Sequence, residues 1–117
     1  MSKISDRAKL EFIINLIDDI EFIINRHESI SNTLNDIEGK HAVLMCLQQI
    51  GESLGKLEDT KMKSQLEGKE ANLMRNIIAH DYMGIKVSIV VGPLEISIPK
   101  LKSNIHLILK KESEKQE

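Results

Sequence analysis

Apolar residues recur at helical spacing over most of the chain. In residues 5–27, Ile13, Ile17, Ile20 and Ile24 are three or four apart, with Leu10, Leu16 and Ile23 widening the stripe. That is one face of a helix. Ser5 or Asp6 can cap its start by accepting a backbone N–H. The peptide Glu-Phe-Ile-Ile-Asn occurs twice in this stretch, at a spacing too short for a solenoid unit. Residues 28–35 carry Ser29, Ser31, Asn32 and Thr33, whose side chains compete for backbone hydrogen bonds and favour a turn with a short helical piece.

A second long helix is predicted over 36–57, where Val43, Leu47, Ile50, Leu54 and Leu57 give the sharpest period in the chain. Gly51 inside it marks a close approach of a neighbouring helix. Residues 59–69 are polar, a loop or ragged short helix. A third helix is predicted over 70–81, with Leu73, Met74, Ile77 and Ile78 on one side and Gly84 as its stop. Residues 85–91 have β propensity, but no second strand exists to satisfy the backbone of a first. They are read as a helix interrupted near Pro93. The last helix starts near Pro99, a good first-turn residue, and runs through Leu101, Ile105, Leu107 and Leu109. Residues 112–117 form a charged tail expected to fray. The pattern predicts an all-α fold, an up-and-down bundle of four to five helices in a single domain over 1–117.

Composition supports this reading. The 117 residues are 41% hydrophobic and 29% charged, a globular balance. Aromatics are only 3%, so the core is aliphatic. Cys46, the only cysteine, sits in the apolar run 43–47 and reads as a small buried hydrophobe. The first residues lack the apolar region of a signal peptide. No uncharged apolar stretch approaches the ~20 residues of a membrane span. A cytoplasmic protein with no membrane contact is expected. The net charge of −2 is not the bulk signature of a nucleic-acid binder, so any RNA contact must rest on a local patch.

Chemistry concentrates in residues 75–82, Arg-Asn-Ile-Ile-Ala-His-Asp-Tyr. Arg75 offers a permanent charge and a planar fork of donors suited to phosphate. His80 can give or take a proton near neutral pH. Together they meet the minimal need of RNA cleavage without metal: proton transfer at the 2′-hydroxyl and the leaving oxygen, and a fixed cation on the phosphoryl oxygens. Five residues turn an ideal helix by about 140° net, so Arg75 and His80 do not share a face, whereas Asn76 and His80 do. One imidazole cannot serve both sides of a phosphate at once. A two-fold homodimer would double each group across one cleft.

Arg75-Asn76-x-x-x-His80-x-Tyr82 at the end of a helix resembles the signature of HepT-like toxins of the HEPN superfamily. Gly51-Glu52-Ser53, Gly84 after His80-Asp81-Tyr82, and Ile98-Pro99-Lys100-Leu101 match in order and spacing. The resemblance implies a HEPN-like helical domain that acts as a dimeric, metal-independent endoribonuclease toxin of a type VII-like toxin–antitoxin system. It implies Arg75 and His80 as the catalytic pair, supported by Asn76, and no cofactor. It also implies an MntA-like nucleotidyltransferase antitoxin as partner, which silences the toxin by adding AMP to Tyr82. Added bulk and negative charge beside His80 would repel an RNA backbone. Glu52 is a candidate to orient Arg75.

The competing class is a non-catalytic HEPN binding or scaffold subunit of a nucleotidyltransferase complex. A metal bundle is a poor reading, because the repeated Glu-x-x-His pattern is absent. His27, His41 and His106 read as surface or boundary residues. Lys61, Lys63 and Lys69 are candidates for a small basic approach to the cleft.

Overall fold

A computed structural model describes residues 4–66 and 87–115, with the backbone alone at Val87 and Lys115. All regular structure among these residues is helical. The first helix, α1 (Asp6–His27), begins where Ser5 turns extended and its hydroxyl accepts the N–H of Ala8. Asp6, the alternative cap, is used elsewhere. Its two carboxylate oxygens accept the N–H groups of Glu58 and Asp59 at 2.9 and 2.8 Å, tying the start of α1 to the segment after α3 (Ile37–Gly55). Burial works against its charge, but the two backbone donors and Lys9 outweigh it and hold the carboxyl below its ordinary range. Glu28 ends α1 in the left-handed region, with φ of 74°.

Between α1 and α3 lies the short α2 (Ile30–Asn35), capped by the Ser29 hydroxyl on the N–H of Asn32. Asp36 then caps α3 by accepting the N–H of Gly39 at 2.8 Å. α1 and α3 run antiparallel along one another. Lys9 at the start of α1 reaches the carbonyl of Lys56 past the end of α3, while His27 meets Asp36 at the opposite end. Their seam holds Leu10, Ile13, Ile17, Ile20, Val43, Leu47, Ile50 and Leu54, all fully or almost fully buried. Ile24, Leu16 and Ile23 are only partly buried at its edge. Cys46 is buried and unbonded. Burial, and then the Asp19 carboxylate, push its thiol pKa upward.

After Gly55 the chain forms α4 (Thr60–Leu66), so residues 60–66 are a short helix rather than loop, with Met62 and Leu66 buried. The chain returns in α5 (Val87–Gly92), which leads through a π-helical turn (Pro93–Ser97) into α6 (Ile98–Lys115). The β propensity near residue 90 is overridden, as expected, and the interruption at Pro93 takes a defined form. Proline has no N–H to donate to the preceding turn. In the turn that follows it, the N–H of Ile98 bonds to the carbonyl of Pro93, one residue farther than in an α-helix. Val90, Leu94, Ile98, Leu101 and Ile105 remain on the buried side.

α6 packs antiparallel on α1. Lys102 pairs with Asp18 and Glu21 at 3.2 and 2.8 Å, and Arg7 reaches Ser113 and Glu112. The helix runs to Lys115, and Arg7 reaches its last turn. α1 therefore lies between α3 and α6, and the all-α up-and-down arrangement holds for the described residues. The helix predicted over 70–81, and the stop at Gly84, lie outside them.

Candidate functional site

Arg75, Asn76, His80 and Tyr82 lie outside the described residues, as does Lys69. Glu52 is the sequence-predicted site residue that the structure places. It sits exposed near the end of α3, with its backbone carbonyl accepting the N–H of Lys56 at 3.2 Å. Its pairing with Arg75 falls outside the described residues.

The two limbs that flank residues 67–86 are well anchored. On the leaving side, one Asp59 oxygen accepts the N–H groups of Lys61 and Met62, which starts α4. Lys63 donates to the carbonyl of Gly55 at 3.0 Å, where an ammonium near the C-terminal end of α3 meets the helix dipole favourably. Of the lysines proposed as a basic approach, Lys63 is thus bound back to the fold, and Lys61 is exposed. On the returning side, α5 leans on α2, with Val90 buried. The segment that carries the Arg–His motif therefore leaves from one packed helix and re-enters at another.

At the far end of the α1–α3 pair the structure builds an arrangement that periodicity did not reveal. The Nδ1 of His27 lies 2.8 Å from the carbonyl oxygen of Ile23, and its Nε2 lies 3.1 Å from Oδ2 of Asp36. Both neighbours are acceptors, so only the doubly protonated imidazolium can donate to both. The Ile23 carbonyl, then the Asp36 carboxylate, raise the pKa of His27 above its ordinary value. The Gly39 N–H, then His27, lower that of Asp36. His27 is a boundary residue, as read from the sequence, but one that clasps two helices. With both ring nitrogens engaged, it is not a proton shuttle. The signal that could have found it was a histidine in the last turn of one helix followed by an Asx cap on the next.

A cleft of about 240 Å³ opens beside this clasp, lined by Phe22, Ile23, Arg26, His27, Asp36, Glu38, Gly39 and Ala42. His41 and His106 are exposed. Among the described residues, no group of three or more His, Cys, Asp or Glu side chains is arranged to hold a metal ion. No described helix is long and apolar enough to cross a membrane.

Comparison with known proteins places the chain. The family model described as "Ribonuclease HepT-like" matches residues 13–108, which span the Arg75–Tyr82 motif and the helices on either side of it. The candidate RNase MJ0125 of Methanocaldococcus jannaschii is 30% identical over 117 residues, covering 98% of this chain and 100% of its own. A second candidate RNase of that organism, MJ1216, is 28% identical over 103 residues, covering 85% of each chain. The candidate RNase TTE0752 of Caldanaerobacter subterraneus subsp. tengcongensis is 29% identical over 105 residues, covering 86% of this chain and 94% of its own. No solved structure gives a significant match. With a helical bundle and a family match that runs from α1 into α6, this chain belongs to the HepT-like ribonuclease family of the HEPN superfamily.

Proposed function

We propose that this protein is a metal-independent endoribonuclease that acts as a homodimer, with Arg75 and His80 as its catalytic pair. The observation that carries the reading is the coincidence of two things in one stretch. The family match runs through residues 75–82, and that stretch holds an arginine and a histidine at the spacing the chemistry can use.

The reaction is an internal transfer. A base removes the proton from the ribose 2′-hydroxyl, and the 2′-oxygen attacks the adjacent phosphorus. The bond to the 5′-oxygen breaks, and an acid gives that oxygen its proton. The products are a 2′,3′-cyclic phosphate and a 5′-hydroxyl. Arg75 holds the phosphoryl oxygens as negative charge builds on them. His80 from each of two subunits supplies the base and the acid, one protonated and one neutral. Asn76, four residues before His80, supports its orientation, and Glu52 orients Arg75.

Silencing follows from the same geometry of charge. An MntA-like nucleotidyltransferase that adds AMP to Tyr82 places a phosphate two residues from His80, where it repels the RNA backbone.

Incubation of pure protein with RNA in EDTA tests the nuclease. Cleavage by the wild type, with a cyclic phosphate end, is expected, and His80→Ala is expected to lose it. Cleavage that survives His80→Ala rejects the assignment. Failure to cut any RNA, combined with tight binding to a nucleotidyltransferase, supports the scaffold reading instead. With the partner and ATP present, intact mass should rise in multiples of AMP on Tyr82. Modification confined to other residues rejects that part.

A further inference from the structure

The chain has two phenylalanines, and α1 leaves both of them exposed, Phe12 at 44% and Phe22 at 67%. An isolated exposed apolar residue is ordinary. Phe22 is not isolated. It forms one wall of the cleft beside the His27–Asp36 clasp, and Arg26, one turn further along α1, lines the same cleft. Residues four apart on a helix share a face, so the two positions are neighbours on the cleft's α1 side.

The charges around the cleft are unequal in what they leave for a ligand. The Asp36 carboxylate is engaged by the Gly39 N–H and by the His27 imidazolium. Arg26 is exposed on the α1 side, and Glu38 is exposed on the opposite rim. The cleft thus offers an aromatic face, a cation next to it, and a carboxylate acceptor across from it. An unpaired nucleotide has a complementary set: a π-face for the ring, a phosphate for the guanidinium, and ring or exocyclic N–H donors for the carboxylate.

We propose that Phe22, Arg26 and Glu38 form a subsite for one unstacked nucleotide of single-stranded RNA. The base stacks on Phe22, and its 3′ or 5′ phosphate lies against Arg26. Glu38 keeps the phosphate to the α1 side and accepts from bases that carry an N–H edge. This rests on the ribonuclease reading and adds to it the class of RNA taken.

The test is binding of a fluorescent single-stranded oligoribonucleotide to full-length protein, read by anisotropy in the His80→Ala background so that the RNA stays intact. Phe22→Ala is expected to weaken binding by about 5- to 150-fold, the range for loss of one base–aromatic stack. Phe22→Trp should restore it. Phe22 is exposed, so the fold is expected to persist, and circular dichroism checks it. An oligonucleotide of abasic sites should bind the parent and Phe22→Ala alike, which separates stacking from a general loss of fit. Arg26→Gln should weaken binding and flatten its salt dependence.

Equal affinity of Phe22→Ala and its parent overturns the subsite, as does absence of RNA binding by the parent. If Phe22→Ala binds RNA normally but changes the oligomeric state in sedimentation, the surface is a protein contact and the proposal fails. Wild-type cleavage with a normal Phe22→Ala sinks only the subsite. Binding with Phe22 dependence but no cleavage sinks only the nuclease.

Discussion

Gly39 shows how much one side chain can decide. A Cβ built there would stand 2.6 Å from the carbonyl oxygen of Thr33 and 3.1 Å from the Nε2 of His27. The first is backbone and cannot swing away. Gly51, the helix glycine singled out in the sequence, is buried, and at Gly39 α2 presses on the start of α3. Gly39→Ala is expected to cost about 1–3 kcal/mol through overpacking, measured by urea unfolding. His27 makes a prediction with a definite sign. Its pKa is raised on folding, so its stabilisation is complete below the unfolded value of 6.5 and fades as pH climbs through the higher folded value. Asp36 is lowered, so its contribution is complete above 3.8 and fades as pH falls through the folded value. Unfolding of wild type and His27→Gln should differ most between those two limits. The gap should narrow above the folded pKa of His27. A gap that widens with pH contradicts the imidazolium clasp. Nothing in hydrophobic periodicity encodes this pair, because it depends on how two helices meet at a corner rather than on either helix alone.

At the scale of elements, strength of attachment is not proportional to the number of ion pairs. Lys102 bridges Asp18 and Glu21 between α6 and α1, but all three are substantially exposed, and such pairs contribute roughly 0–1 kcal/mol. Asp6 does more, since it accepts two backbone N–H groups from the segment after α3. Asp6→Ala should destabilise by about 1.5–3 kcal/mol, the range for hydrogen bonds to a charged group. Hydrogen exchange at Glu58 and Asp59 should speed up in that variant. Unchanged exchange there would contradict the tie. The helices themselves were legible: α1, α3 and α6 follow from three- and four-residue spacing. Their ends were less so. Ser5 and Asp6 are equally good caps as residue types, and only the presence of the 58–59 backbone assigns them separate tasks. The contact of Arg7 with the last turn of α6 joins residues 106 apart, which helical periodicity does not encode.

For the whole molecule, aliphatic stripes made the architecture legible, and the proposed chemistry rests on a single motif. Arg75, His80 and Tyr82 were proposed because a motif is local information that a family resemblance can be read from. The Phe22 cleft could not be read that way, since its walls come from α1 and α3 and come together only on folding. Expression of the wild type without a nucleotidyltransferase partner is expected to slow growth, and Arg75→Ala should relieve it. Equal toxicity of the two proteins would count against Arg75 as part of the nuclease. A stable but inert Arg75→Ala, with wild-type unfolding, would separate lost chemistry from lost fold.

Cys46 gives the molecule a built-in clock. It is the sole thiol, it is buried on α3 within reach of the Asp19 carboxylate of α1, and the raised pKa keeps it in the unreactive form. A thiol reagent can reach it quickly only when the two helices part. The labelling rate in native buffer therefore counts those partings, with no engineered probe. Gly39→Ala and Asp6→Ala, which loosen opposite ends of the same helix pair, should each make it tick faster, while Phe22→Ala should leave its pace unchanged.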